Sequence, residues 1–456
     1  MPDTVPVDGP ARQGRPSTPR TESSGAERLR GRDEPAQLEY LGSSDVHPVI
    51  ISALQQEGIY ATSVHLESLQ HRPGAGVTGI YRVVISEPPR LSGAEAGRSR
   101  SQVYPMAGDH MHELYAGVTT ERTNAAADGT VTAQSPAGRL TIWQHPCDPA
   151  LEGLPLATDP AAVAEHWGSG FPLTALETIS YRPLRRAVIA ADFAEGPRIY
   201  LKVLRAGRAE DLEHRHRMLL DAGIPAPAPV REPIDDVVAL RQGEGISLAE
   251  HFLSDGAARI RPHDFVQLLD ALPAEVMELP AREAWTDRLP AYASAAEAAL
   301  PEAADRIAAL KDLILADLAV TDRGPLVPTH GDFYEGNVLM AGGEISCLLD
   351  VDSLGPGHRV DDLACFLGHL AVLPAVDPRY IHAPAAFDRF ARAFAESVDP
   401  RSLQIRSASV ALSLVAGARD ARRSGWEAQA DHRLRCAEAL VGLASPSGAL
   451  PEWPKP

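Results

Sequence analysis

The stretch His330-Gly331-Asp332-Phe333-Tyr334-Glu335-Gly336-Asn337, followed by Asp350-Val351-Asp352, constrains this chain more than any other feature. It reads as a loop, a short strand, a Gly342-Gly343 turn, a second strand over Ile345–Leu349 with the apolar character of a buried element, and then an acid. Such a unit sets an acid, an amide and a second acid on one loop and the end of the adjoining strand. Asp332 and Asn337 are five positions apart, and Asp350 lies thirteen further on. Metal-dependent phosphoryl transfer asks for that set: a carboxylate that orients an attacking hydroxyl, and hard oxygen ligands, here Asn337 and Asp350, that hold Mg²⁺ on the phosphates of a nucleotide.

The 456 residues suffice for two or three domains and a large buried core. A formal net charge of −18 argues against a general nucleic-acid binder, fits a solvated acidic surface and, less strongly, fits a cationic substrate. The four cysteines, Cys147, Cys347, Cys365 and Cys436, are scattered with no CxxC pair, which suggests a reducing compartment and no zinc site. No apolar run approaches the roughly 18 residues of a spanning helix, and the N-terminus lacks a signal core. The expectation is a cytoplasmic protein with no membrane partner.

Residues 1–36 are rich in Pro, Gly, Ser, Arg and Glu and read as a disordered tail. A helix starting at Pro48 and strand patterns at Val64–Leu69, Gly79–Ile85 and Leu140–Trp143 follow, with Pro88–Gln102 a polar loop. Ala187–Phe193 and Arg198–Leu204 make a hairpin, Arg208–Ala222 a helix closed by Gly223, and Val237–Leu240 another strand. Beyond Ser247 the chain turns mostly helical, with stripes at Ala296–Leu318, at Phe387, Phe390 and Phe394, and over Ser407–Leu443. Strands first and helices afterwards predict an α+β, two-lobed arrangement with the chemistry in the second lobe. The expected domains are the tail, an α+β accessory domain over 37–165, a β-rich lobe over 166–245 and a helical lobe over 246–456. The strand, Arg-Pro, strand patterns around Arg72-Pro73 and Arg182-Pro183 suggest a weak internal repeat, for which chance likeness of hairpins is an equal explanation.

Lys202 stands in the centre of an otherwise apolar strand, and nucleotide phosphates would give it a reason to point into a cleft. Glu213 on the following helix is its expected ion-pair partner, with Glu210 the rival. His330-Gly331-Asp332 with Asn337, then Leu349-Asp350-Val351-Asp352 and Asp362-Leu363-Ala364, resembles the aminoglycoside phosphotransferase and choline kinase family over roughly residues 170–445. The resemblance implies a protein-kinase-like fold that binds ATP and Mg²⁺. Residue by residue, it implies Asp332 as the catalytic aspartate, Asn337 and Asp350 as metal ligands, Lys202 and Glu213 as the nucleotide-binding pair, and Asp362 as a support of the catalytic loop. Val238–Leu248 looks like the hinge that meets adenine. Residues 37–165 are loosely similar to the extra N-terminal domain of maltokinase-like members. Two departures stand out: Gly355-Pro356-Gly357-His358-Arg359 replaces the common Gly-Asp-Pro, and no GxGxxG loop precedes Lys202. The turn Tyr181–Arg186 is then the candidate phosphate cover, although an exposed basic turn is the preferred reading of Arg182, Arg185 and Arg186.

His330 reads as a loop-fixing residue and Asp352 as a strand-end carboxylate in preference to a second metal ligand. His145–Pro149 and His110-Met111-His112 read as turn and loop. Trp143, Trp167, Trp426 and the phenylalanine stripe read as packing. The expected activity is transfer of the γ-phosphoryl group of ATP to a hydroxyl of a small molecule such as an aminoglycoside, sugar or amino alcohol. The alternatives are a kinase for Ser or Thr side chains of a peptide in a natural-product pathway, and a catalytically silent kinase-like scaffold, against which the four intact residues Lys202, Asp332, Asn337 and Asp350 speak.

Overall fold

Alternating and β-branched runs build the first sheet met along the chain. The computed structural model describes residues 34–72, 74–85, 113–123, 129–419 and 425–443. The expected loop at Pro88–Gln102, the His110–His112 run and residues 1–33 of the expected tail lie outside them. The chain divides into two units, Met1–Pro155 with Arg182–Arg185, and Leu156–Tyr181 with Arg186–Pro456.

In the first unit, helix α1 covers 34–42, and α2 spans His47–Gln56 with Pro48 in its first turn. The strands are β1 (Ala61–Arg72), β2 (Gly76–Ile85), β3 (Glu113–Thr119), β4 (Thr130–Ser135) and β5 (Gly138–Gln144). They form one antiparallel sheet in the order β1-β2-β3-β5-β4. Leu41, Ile50, Leu54, Val64, Tyr81, Val118 and Ile142 meet in its core. The Tyr81 hydroxyl donates to the Leu41 carbonyl at 2.6 Å, so burial leaves it satisfied. Gly117 is required where it stands: a Cβ there would fall 2.1 Å from the Trp143 ring, which lies across β3. The expected tail boundary at 36 falls inside α1. Glu34 is buried because its carboxylate accepts from the Gly74 N–H and bonds His71, both at 2.8 Å, which draws the start of the helix into the fold.

The second unit follows from α3 (Leu154–Thr158), at the division itself, and α4 (Pro160–Trp167), capped by Asp159. The expected boundary at 165 thus moves back to 155. A four-stranded sheet comes next: β6 (Leu173–Arg182), β7 (Arg186–Phe193), β8 (Ile199–Val203) and β9 (Val237–Arg241), in that spatial order. Helix α5 (Ala209–Asp221) links β8 to β9. In β8, Ile199, Leu201 and Val203 are buried and Tyr200 and Lys202 take the other face, the period-2 pattern of a strand with one face in the core.

Beyond β9 a three-stranded sheet joins β10 (Ile246–Ser247) to a hairpin that lies after β11 (Leu326–Thr329) in the chain, formed by β12 (Val338–Ala341) and β13 (Glu344–Leu348). β11 itself pairs with β14 (Gly355–His358). The helices α6 (Leu248–Asp255), α7 (Pro262–Asp270), α8 (Leu289–Ala299), α9 (Ala304–Leu318), α10 (Arg359–Val376), α11 (Ala383–Phe394), α12 (Pro400–Ser413) and α13 (Trp426–Leu443) make the rest. The helical stripe expected over Ala296–Leu318 is shared by two helices, because Pro301 cannot continue the ladder and Leu300 is turned out of helical geometry before it. Phe252, Phe265, Phe333, Phe366, Phe390 and Phe394 interlock in the core, so the phenylalanine stripe packs as expected. A sheet lobe followed by a helical lobe is the α+β order anticipated. Among the described residues no helix is long and apolar enough to cross a membrane.

Candidate active site

The loop after β11 is held by its backbone. Asp362, in the first turn of α10 and 2 % exposed, accepts the N–H groups of His330 at 2.9 Å and Gly331 at 2.8 Å. His330 Nε2 donates to the Leu349 carbonyl at 2.9 Å, which leaves Nδ1 to accept the Asp332 N–H at 3.3 Å. One ring therefore ties the loop to the end of β13. Gly331 has φ +81° and a Cβ there would lie 2.6 Å from the Ser353 carbonyl oxygen, so both conformation and space demand glycine. A 3₁₀ turn over Glu335–Asn337 follows. The Asn337 NH₂ donates to the Asp332 carbonyl at 2.9 Å, and the Leu349 N–H donates to the Asn337 carbonyl at 2.8 Å. Fixing the NH₂ end fixes which end of the amide is oxygen.

Asp350 leaves β13 in the left-handed region, φ 51°. This single-residue twist redirects the chain into a 3₁₀ turn at Val351–Ser353 and sets Asp350 beside Asp352. Both carboxylates accept from Lys202 Nζ, at 3.0 and 3.3 Å. Arg186, on β7, adds a bond of 3.1 Å to Asp352 and lies 3.8 Å from Asp350. Asp352 thus belongs to the same cluster as Asp350 and is more than a strand-end carboxylate.

The structure corrects one expected pair. Glu213 is bonded to Arg217 one turn on in α5, and the partners of Lys202 are Asp350 and Asp352. An i,i+4 pair with the acid on the N-terminal side forms without bringing distant chain together, and here it claims Glu213. His216, on the same helix, is fully buried near Lys202, whose charge joins burial in pushing the imidazole down to about 3.

Burial works against the Lys202 ammonium, but Asp352 and Asp350 outweigh it and hold the lysine above its ordinary value. Asp350 is correspondingly held low: burial would raise it, and Lys202 and Arg186 prevail. Asp332 behaves differently. Burial pushes its carboxyl up, Asp350 adds to this, and His330 and an interaction with the Trp285 indole oppose it. Its Oδ1 is buried with no hydrogen-bond partner. Glu335 is also enclosed, and burial pushes it up to about 7. The loop therefore carries an acid without a cationic partner next to a pair of acids with two.

The other expected features are distributed as follows. Val238–Leu248 runs from β9 through Gln242–Gly245 into β10 and α6, and its Arg241 and Gln242 N–H groups donate to the carbonyls of Ala228 and Arg198. Of the basic turn, Arg186 is taken by the acids, Arg182 is exposed, and the Leu184 N–H donates to Asp148 at 2.8 Å. Trp143 and Trp167 are buried packing residues.

An aromatic wall beside Asp332 was not anticipated. Trp285 and Tyr292 stack with centroids 5.4 Å apart, and Arg288 lies over both rings at 5.7 and 5.1 Å. Tyr334 stacks on His369 at 4.3 Å, and His369 meets Trp285 edge-on at 6.2 Å. The spacing of Trp285, Arg288 and Tyr292 by three and four is the signal that could have placed them on one helical face.

Residues 183–395 match the phosphotransferase enzyme family, a stretch that takes in β7–β9, the Asp332–Asp350 unit and Asp362. The matched stretch lies in the second unit apart from its first three residues. No curated protein matches the chain. Solved structures to which it is similar include a thermostable mutant of aminoglycoside phosphotransferase APH(4)-Ia in ternary complex with ADP and hygromycin B, at 16% identity and TM-score 0.44, covering 63% of this chain and 99% of that one. A choline/ethanolamine kinase family protein from Mesorhizobium loti is similar at 18% identity and TM-score 0.44, over 64% and 94% of the two chains. Macrolide 2′-phosphotransferase MphH from Brachybacterium faecium is similar at 20% identity and TM-score 0.35, over 60% and 96%.

Proposed function

We propose that the second unit transfers the γ-phosphoryl group of ATP, with Mg²⁺, to a hydroxyl of a small molecule such as an aminoglycoside, a sugar or an amino alcohol. The observation that carries this reading is the meeting of Lys202 with Asp350, 148 positions later, beside the loop that bears Asp332 and Asn337. A lysine from the sheet lobe thus stands beside acids that could ligate a metal, the pair of functions a nucleotide's phosphates would call for.

The donor set suits Mg²⁺: one or two carboxylates and an amide oxygen, with phosphates and water completing the shell. Asp350 and Asn337 would hold it, with Asp352 adjacent. Bound there, Mg²⁺ supplies charge neutralisation on the phosphate oxygens. In this reading, Lys202 turns its ammonium from the carboxylates to the α/β-phosphate oxygens when nucleotide enters. Asp332 accepts a hydrogen bond from the acceptor hydroxyl at its unpartnered oxygen and takes the proton as the new O–P bond forms. The bond from the γ-phosphorus to the bridging oxygen breaks, and ADP leaves. A carboxyl raised by burial is the better base near neutral pH. Asp362 and His330 keep the loop in place, and Val238–Leu248 would meet the adenine.

Calorimetric titration with ATP in the presence and absence of Mg²⁺, followed by transfer of labelled γ-phosphate to aminoglycosides, sugars and amino alcohols, tests the proposal. Saturable Mg²⁺-dependent ATP binding and label on at least one hydroxyl compound are expected. A chain that binds no ATP with Mg²⁺ is not this enzyme.

A further inference from the structure

The turn between β6 and β7 has its backbone groups already bonded. The Leu184 N–H donates to Asp148 at 2.8 Å and the Arg185 N–H to the Arg182 carbonyl at 3.0 Å. Leu184 is buried at φ +60°, so the chain reverses there without glycine. Amides so occupied do not cradle a phosphate, and positive charge at this end of the sheet comes from a side chain. Arg186, the first residue of β7, supplies it. Val188 stands opposite Lys202 in the β7–β8 register, so Arg186 and Lys202 share a face as diagonal neighbours, about 7–8 Å apart along the backbone. Arg186 Nη1 donates to Asp352 at 3.1 Å and lies 3.8 Å from Asp350. Its charge also reaches Asp332, where it opposes the effect of burial. Among the described residues, Nε and Nη2 of Arg186 donate to no acceptor. One guanidinium thus faces both acids that could hold a metal and the acid placed to take a proton. A phosphoryl group in transit from nucleotide to hydroxyl has to lie between those groups. A purely structural ion pair is the simpler role, but Lys202 already meets both acids, and a partly exposed second pair adds little to stability.

We infer that Arg186 contacts the γ-phosphoryl group of the bound nucleotide and stabilises the charge on its oxygens during transfer. This rests on the phosphotransferase reading above. The sheet register gives the order of contacts. Arg241, where β9 runs into the segment that would meet adenine, pairs with Ile199 at one end, Lys202 pairs with Val238 further along, and Arg186 lies beyond Lys202 toward the turn. A nucleotide with its base at the first point and its α/β-phosphate oxygens at the second carries its terminal phosphoryl group toward the third. There the planar fork can offer parallel N–H groups to two oxygens of one phosphoryl group. The bond changes are those already described. The acceptor oxygen bonds to the γ-phosphorus, the bond from that phosphorus to the bridging oxygen breaks, the hydroxyl proton goes to Asp332, ADP leaves, and Arg186 keeps its protons.

Calorimetric titration of the full chain with Mg·ADP and with Mg·AMP-PNP, which differ by the terminal phosphoryl group, tests the contact apart from turnover. Arg186→Ala should weaken AMP-PNP binding by about tenfold or more while the Kd for ADP stays within about twofold. In transfer from Mg·ATP to a hydroxyl compound that the parent accepts, kcat should fall by about 10²–10³-fold. Arg186→Lys should recover only part of that loss, because an ammonium lacks the fork. Guanidinium ion added at a non-denaturing concentration should raise the rate of Arg186→Ala and leave that of the parent unchanged. Should Arg186→Ala fail to fold, Arg186→Gln keeps much of the length without the charge and gives the same split between the two nucleotides. Equal weakening of ADP and AMP-PNP, or an unchanged kcat and AMP-PNP affinity in a folded variant, would overturn the inference and leave Arg186 a structural partner of Asp352. A parent that binds neither nucleotide would sink the phosphotransferase reading with it. A parent that binds both and transfers phosphate, with Arg186→Ala indistinguishable from it, would sink the inference alone.

Discussion

Lys202 Nζ stands 3.0 Å from Asp350 Oδ1, and this contact joins the sheet lobe to the strand end that follows the Asp332 loop. Lys202 also reaches Asp352 at 3.3 Å. If the ammonium serves nucleotide phosphates, Lys202→Met should lower kcat/KM for ATP by roughly 10²–10³-fold, the usual cost of losing one charged donor at a developing charge. Circular dichroism should show the variant folded, since Arg186 still faces both carboxylates. Unchanged kinetics would remove Lys202 from the site.

Asp362 is the single side chain that accepts both the His330 and Gly331 amides. Asp362→Asn offers one acceptor oxygen and turns an NH₂ group toward the other N–H, leaving a buried donor unmatched. The expected loss is about 1–3 kcal/mol of stability, read by urea unfolding, with a fall in kcat because the loop loses its anchor. A variant as stable and as active as the parent would contradict the anchoring role.

Gly331→Ala tests the same loop from its backbone. The left-handed φ of +81° and the 2.6 Å approach to the Ser353 carbonyl both oppose a side chain. A loss of at least about 1–3 kcal/mol is expected in thermal or urea unfolding. Full stability would mean that the loop backbone has another low-energy path.

Sequence legibility followed distance along the chain. Asp332, Asn337 and Asp350 sit within one loop, hairpin and turn, so their order and spacing nearly define their neighbourhood. Lys202 was legible as the charged residue of an apolar strand. Glu213 was not, because the choice between Arg217 four positions on and a lysine across the cleft is settled by how α5 packs, and the local pair won. Arg186 appeared only as part of a basic turn, and its pairing with Asp352 spans 166 positions. Trp285 and Tyr292 carried a helical spacing, yet only the packing of their turn against a loop some fifty positions later brings them to Asp332. The break between α8 and α9 has its sequence signal in Pro301, which stands inside the apolar stripe.

His216 and His369, with His145, whose imidazole burial pushes down to about 4, give the fold a pH dependence. Burial pushes His216 down to about 3, with Lys202 adding to it, and His369 down to about 4. Unfolded histidine titrates near 6.5, so between these values the unfolded chain binds more protons than the folded one. Their contribution is complete above about pH 6.5 and is lost as pH falls toward 4 and then 3, at about 1.4 kcal/mol per pH unit for each histidine inside its window. Urea unfolding at about pH 7.5 and about pH 5 should show the fall, and His369→Asn should flatten it. Equal stability at the two pH values would contradict neutral burial of these rings.

Asp332→Ala tests the central claim most directly. Transfer of the γ-phosphoryl group from Mg·ATP to an accepted hydroxyl compound is measured for parent and variant, with ATP binding followed by calorimetry in both. The account predicts that ATP still binds within a few-fold of the parent affinity while transfer falls by about 10²–10⁴-fold, the range that a positioned proton acceptor contributes. Transfer undiminished in Asp332→Ala would contradict it.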